Sequence, residues 1–255
     1  MKRGNCISAL KVILLVFTVA GTHLIQAQQS YFNVPSSDRT KEGEFFFQQQ
    51  LNYAEKEITS NSTFDWGITK HFEVGINVLQ VNYLNGAVLR RSDNEITPDE
   101  MVYPLITANC QYFFPISEHH QFSVAAVSGF SFLNKLSLKE NATLMFSNYQ
   151  YHKHGLKITA GIYAGNNHMM STGTRFPFCT INSPLGFQIG SEIPIIHEKL
   201  SIITDYVSGT HAMGMSTLGI AVAVPHHWVI SLGGFFPNIN SANPKGIVME
   251  FTRAL

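Results

Sequence analysis

The chain has 255 residues, only 13% of them charged, and a formal net charge of zero. A soluble domain carries about 25% charged residues. No basic patch exists to neutralise phosphates, so nucleic acid is excluded as a partner.

Lys2 and Arg3 precede an apolar run from Ala9 to Ala20, and Ala27 offers a small residue before Gln28. A charged start, a short apolar stretch and a small-residue cleavage site predict a signal peptide over 1–27. After it no long unbroken apolar stretch remains, which argues against helical spans. Cys110 and Cys179 are the only cysteines left, too few for a disulfide framework. Residues 28–43 are polar and irregular. They are expected as a periplasmic N-terminal lead-in, mobile or tucked through Tyr31 and Phe32 against the near end of the downstream strands.

From Glu44 onward a period of two sets in. Phe45, Phe47, Leu51 and Tyr53 alternate with Glu44, Phe46, Gln48, Gln50 and Asn52. Side chains of a strand point alternately to opposite faces, so one face is bulky and apolar and the other small or polar. Phe64, Trp66 and Ile68 continue the pattern, then Phe72, Val74, Ile76 and Val78 after the turn at Lys70-His71. Parity becomes ambiguous near 79–83, as a β-bulge would make it. A long polar loop is expected over 84–100.

Further strands are expected near 104–114, 122–132, 143–151, 156–165, 185–193 and 200–206. Ser216–Phe236 then reads as a hairpin around Pro225-His226-His227. Leu218, Ile220, Val222 and Val224 share one face of its first strand, and Trp228, Ile230, Leu232 and Phe236 one face of its second. Ile247, Met249 and Phe251 mark the last strand. About twelve strands of roughly ten residues suit a tilted bilayer crossing. Tight links at 115–120, 194–199 and 225–227 alternate with longer polar ones, and aromatics gather near strand ends. The expectation is an all-β antiparallel transmembrane β-barrel with short periplasmic turns and longer extracellular loops. It would occupy residues 44–255, in the cell outer membrane.

With this pattern the chain resembles the outer-membrane β-barrel proteins of Gram-negative bacteria, over Glu44–Leu255. The last strand of that family carries a glycine followed by alternating hydrophobic and aromatic residues, read by the barrel-assembly machinery. Gly246, Met249 and Phe251 resemble this assembly signal, while the run from Thr252 to Leu255 departs from it. The resemblance implies outer-membrane lipid and the assembly machinery as partners, and leaves envelope protein partners open.

The faces opposite the apolar ones carry Glu44, Asp65, Glu73, Lys157, Glu192, Asp205 and Glu250, the candidate lumen-facing residues. An acidic lumen favours cations or neutral polar solutes over anions. A narrow, porin-like channel or a transport-associated protein is therefore expected. The alternative is a structural or partner-binding barrel whose lumen is filled, and a secreted β-sandwich is a third reading. Eight of the histidines fall in the expected turns and none is expected on a strand. They are read as a polar aromatic rim rather than as metal ligands, and no cofactor is expected. Asp205, His168 and His211 form no recognisable catalytic motif, and the chain is expected not to be an enzyme.

Overall fold

The structure is a computed structural model that describes residues 31–55, 57–83, 104–131, 141–166, 174–176, 179–183, 185–241 and 243–255. The segment read as a signal peptide, the polar loop over 84–100 and His168 lie outside the described residues.

Every described regular element is a strand. They are β1 (Phe45–Ala54), β2 (Glu57–Thr69), β3 (Phe72–Asn82), β4 (Leu105–Ser117), β5 (His120–Ser131), β6 (Ala142–Lys153) and β7 (Leu156–Gly165). Then come β8 (Thr174–Phe176), β9 (Cys179–Ser183), β10 (Leu185–Ile196), β11 (Leu200–Val207), β12 (Met215–Val224), β13 (Trp228–Pro237) and β14 (Gly246–Ala254). Twelve of these close into an antiparallel barrel in chain order, with β14 pairing back onto β1. Closure leaves no unpaired edge, the condition for a sheet in hydrocarbon. The short β8–β9 hairpin stands apart within the β7–β10 connection.

Alternation sets which way each wall faces. On the β12–β13 hairpin Leu218, Ile220 and Leu232 are 56%, 45% and 47% exposed, while Thr217, Val229 and Ser231 are 1%, 6% and 0% exposed. The bulky face is the outside of the barrel. The same holds on β4 for Ile106, Tyr112 and Phe114, and on β10 for Leu185, Phe187 and Ile189.

The two rims differ. At the turn end, β6 and β7 meet through His154 and Gly155 alone, both with positive φ (51° and 83°). That backbone matches the right-handed twist of a two-residue hairpin, and glycine adopts it without strain. His226 and His227 also take positive φ between β12 and β13. Exposed aromatics meet outside this rim: Phe45 stacks on Phe64 and Trp66 (5.4 and 6.0 Å), and Tyr112 lies tilted against Phe114 (4.7 Å). The Arg253 guanidinium lies 5.4 Å from the Trp228 ring. At the loop end Phe187 meets Tyr206 at 5.5 Å, and Tyr53 and Phe236 are exposed. Two aromatic girdles therefore bound an apolar band.

The ambiguous parity near 79–83 is a bulge. The β2–β3 register shifts between Ser60 and Ser62, and Gln80, at φ 60°, donates its backbone N–H to Asn61 Oδ1. One expectation is corrected here. His120 and His152 do fall on strands, at the turn ends of β5 and β6. The ladder runs past the bulky alternating core of each strand, so periodicity ends before pairing does.

Candidate functional site

Residues 31–43 run inside the barrel, across its turn-end half. Gly43 donates its N–H to Gly67 O at the rim, and Gly67 returns its N–H to Glu44 O. Gly67 is required there, because a Cβ would sit 2.1 Å from Lys41 O. The Thr40 N–H donates to Glu73 Oε2 at 2.9 Å. Ser37 donates its N–H to Gln150 Oε1 at 2.7 Å, its hydroxyl meets Ser123, and Asn148 Nδ2 donates to Pro35 O at 2.7 Å. The segment ends against the far wall. There Phe32, Asn33 and Val34 all aim their N–H groups at one oxygen of Asp205, at 2.9, 2.5 and 3.2 Å. Three consecutive amides converging on a carboxylate form a backbone nest for an anion. Tyr31 donates its hydroxyl to Thr159 Oγ1, which donates on to Gln150.

The inner glycines hold the aromatic side chains of this plug. A Cβ at Gly190 would lie 2.3 Å from the Tyr31 ring, and one at Gly219 would lie 2.8 Å from the Phe32 ring. Tyr31, Phe32 and Val34 are buried, as are Ser123, Gln150, Thr159, Ile203 and Thr252 around them. The wall positions that would line a passage through this half are thus covered.

The candidate lumen residues divide. Asp65, Glu73, Asp205 and Glu250 are buried inside the barrel. Asp65 accepts from Asn109 Nδ2 at 2.9 Å, and Glu250 from Gln48 Nε2 at 2.8 Å. Lys157 bridges Asp38 of the plug (2.6 Å) and Glu192 of β10 (3.2 Å), so it ties the segment to the wall. Glu44 precedes β1 at the rim and pairs with Lys41 at 3.6 Å, with 41% of its side chain exposed. Gly246 opens β14 opposite Ala54, and Met249 and Phe251 lie on the outward parity of the closing strand. The uncharged anchors Asn148, Gln150, Thr159, Ser123 and Thr217 were not singled out in the sequence. Their only signal is that they share the parity of the carboxylates.

Above the plug the barrel keeps a cavity of about 330 Å³. Its floor is Phe32, Asn33 and Pro35, and its roof includes Ala212, Met213, Asn243 and Pro244. The roof loop 208–214 is stapled from the β13–β14 connection. Asn243 Nδ2 donates to His211 O (2.8 Å) and Gly214 O (3.0 Å), and Asn238 Nδ2 donates to Gly209 O (2.7 Å). His211, in this loop and outside the membrane-spanning strands, is fully buried against Tyr163 (Nε2 to hydroxyl 2.8 Å). Tyr163 gives its proton to Ser208 O at 2.6 Å, and Met213 donates its N–H to His211 Nδ1 at 3.3 Å. His211 is therefore the neutral Nε2–H tautomer, and burial pushes its pKa down to about 4. Among the described residues no cluster of three or more His, Cys, Asp or Glu could hold a metal ion, and Cys110 is a free thiol.

A closed antiparallel barrel with an apolar, aromatic-girdled exterior and a polar interior is an outer-membrane β-barrel. No family model matches the sequence. No curated protein matches it either. Solved structures do, among them outer membrane phospholipase A from Escherichia coli, at 6% identity and a TM-score of 0.42. That match covers 85% of this chain and 92% of that one. The expectation that the chain is not an enzyme is corrected on this finding. A barrel matched here is named as a phospholipase, and a barrel fold by itself does not decide whether a chain is an enzyme.

Proposed function

We propose that this protein is a gated outer-membrane barrel, transport-associated, whose own N-terminal segment keeps the passage shut at the turn end. The observation that carries this reading is the seating of residues 31–43 across the lumen, held by Asp205, Lys157, Glu73 and Gln150. The hold combines these polar contacts with burial of Tyr31, Phe32 and Val34, and none of it belongs to the strand ladder, so the plug can leave without the barrel unfolding. Solutes admitted by the lumen would be small and polar or cationic, because the groups facing it are mainly carboxylates and carboxamides. A filled, partner-binding scaffold is the second reading, favoured by how completely the wall is covered in the turn-end half.

Planar-bilayer recording separates the two. The Gly190→Ala variant drives a methyl into the Tyr31 ring, whose atoms are its three nearest neighbours. Asp205→Asn weakens the nest. The gated reading expects the native barrel to be closed for most of the record and the combined variant to conduct. Adding Tyr31→Ala to Gly190→Ala removes the clash and restores closure. Steady conductance of the native protein would overturn the gate. So would silence of a combined variant whose segment has become protease-sensitive, and that result would favour the scaffold.

A further inference from the structure

The cavity above the plug has two unlike walls. Along β1–β4 it is lined by Gln48, Gln50, Asn52, Asn61, Asn77 and Asn109. Across from them, on β5, β6, β11, β12 and the roof loop, it is lined by Val127, Leu144, Phe146, Val207, Met213 and Met215. Among the described lining residues there is no Lys, Arg or His, while Glu57, Asp65 and Glu73 contribute carboxyl groups.

The amides of the polar wall are held in place. Gln50 Nε2 donates to Asn52 Oδ1 (3.1 Å), Asn77 Nδ2 to Thr107 Oγ1 (3.1 Å) and Asn109 Nδ2 to Asp65 Oδ1 (2.9 Å). The Asp65 carboxylate accepts, which fixes the oxygen end of Asn109. Among the described residues the amide oxygens of Gln50, Asn77 and Asn109 accept no hydrogen bond. Asn52 and Asn61 are turned the other way, their Oδ1 atoms taken by Gln50 Nε2 and the Gln80 N–H, so the wall offers amide oxygens for donors beside amide N–H groups.

We infer that this cavity is a binding site for a small molecule with two edges. One edge is apolar or aromatic and packs on the Phe146 and Met215 side. The other carries hydroxyl, amide N–H or ammonium donors for the β1–β4 amides. The ligand is uncharged or cationic, because a buried anion would meet the carboxyl groups of Glu57, Asp65 and Glu73 and no compensating cation among the described lining residues. A volume of about 330 Å³ lies at the small end of ordinary ligand pockets.

Three probes sharing a phenyl ring test this: phenyl β-glucoside, phenethylamine and phenyl phosphate. Each is titrated by calorimetry into the full barrel in lipid nanodiscs and into empty discs. Saturable, barrel-dependent binding is expected for the glucoside and the amine, with the phosphate at least about tenfold weaker, the scale of one charge-assisted bond lost. Gln50→Met and Asn77→Leu together, which remove two acceptors at similar bulk, should weaken the glucoside by about tenfold or more. Phe146→Ser should weaken both binding probes. Comparable binding of the phosphate, indifference to the amide substitutions, or no saturable binding of any probe would overturn the inference. None of these outcomes depends on conductance, so the gated reading stands or falls separately.

Discussion

The two halves of the lumen share the same strands and the same closure, yet one is filled and the other is hollow. In the turn-end half, glycines at 190, 219 and 233 face inward, and Tyr31 and Phe32 occupy the space they leave. Lys157, at the turn end of β7, and Asp205, farther along β11, meet partners from the plug. In the loop-end half the inward positions are mostly amides along β1–β4, with Ala54 and Leu79 among them, and mostly Leu, Phe and Met across from them, and the plug forms only the floor of the space between. A barrel of twelve strands lies between those that side chains fill and those that keep an aqueous channel. What decides the matter in this chain is the segment 31–43, which belongs to no strand. Free space in such a barrel is set by occupancy as much as by circumference.

Substitutions can break this contrast. The largest effect is expected from Asp205→Ala, which leaves the Phe32, Asn33 and Val34 N–H groups buried without their acceptor. At about 1–3 kcal/mol for each orphaned donor, the plug should lose roughly 3–9 kcal/mol and become a protease-sensitive tail. Resistance of residues 31–43 to a soluble protease in that variant would show that the nest does not hold them.

The outside and inside of one strand sharpen it next. Leu232→Arg puts a charge on the lipid face and should cost about 2–4 kcal/mol in folding from urea into vesicles. Its neighbour Ser231, buried with no partner for its hydroxyl among the described residues, should tolerate Ser231→Ala at a cost near zero, since no hydrogen bond is lost. Equal costs at the two positions would mean that the faces have been assigned wrongly.

The loop-end half carries a pH dependence of its own. An unfolded histidine titrates near 6.5, and burial holds His211 down to about 4. The unfolded roof loop therefore binds the proton more readily. The stability linked to neutral His211 is complete above about pH 6.5, falls as pH drops below it, and is gone by about pH 4. The ceiling on this effect is roughly 3 kcal/mol. Amide exchange in 208–214 should accelerate over that window, and His211→Gln should flatten the response. An unchanged acceleration in that variant would assign the effect to another group.

Much of the barrel was legible because alternation of large against small faces survives in sequence. It marked twelve strands and the inward parity of Asp65, Glu73, Asp205 and Glu250. Where both faces are polar the contrast vanishes, which is why no alternation is read between Tyr53 and Phe64 although Glu57–Thr63 is half of β2. Its inner side lines the cavity and its outer side reaches the loop-end interface. The β8–β9 hairpin is too short to show a period. Glu44 shared the inward parity but lies past the end of the ladder, where parity no longer means burial. The path of the plug was illegible for a different reason. It is held by backbone N–H groups, which every residue but proline possesses, and by inward glycines, whose occupants no composition names.

Hydrogen exchange at the Phe32, Asn33 and Val34 amides of the native barrel in lipid tests the central claim most directly. Bonded to Asp205 within the lumen, they should be strongly protected, and Asp205→Asn should speed their exchange selectively. Exchange of all three at the rate of a free peptide would contradict the account, because the segment would then spend its time outside the barrel.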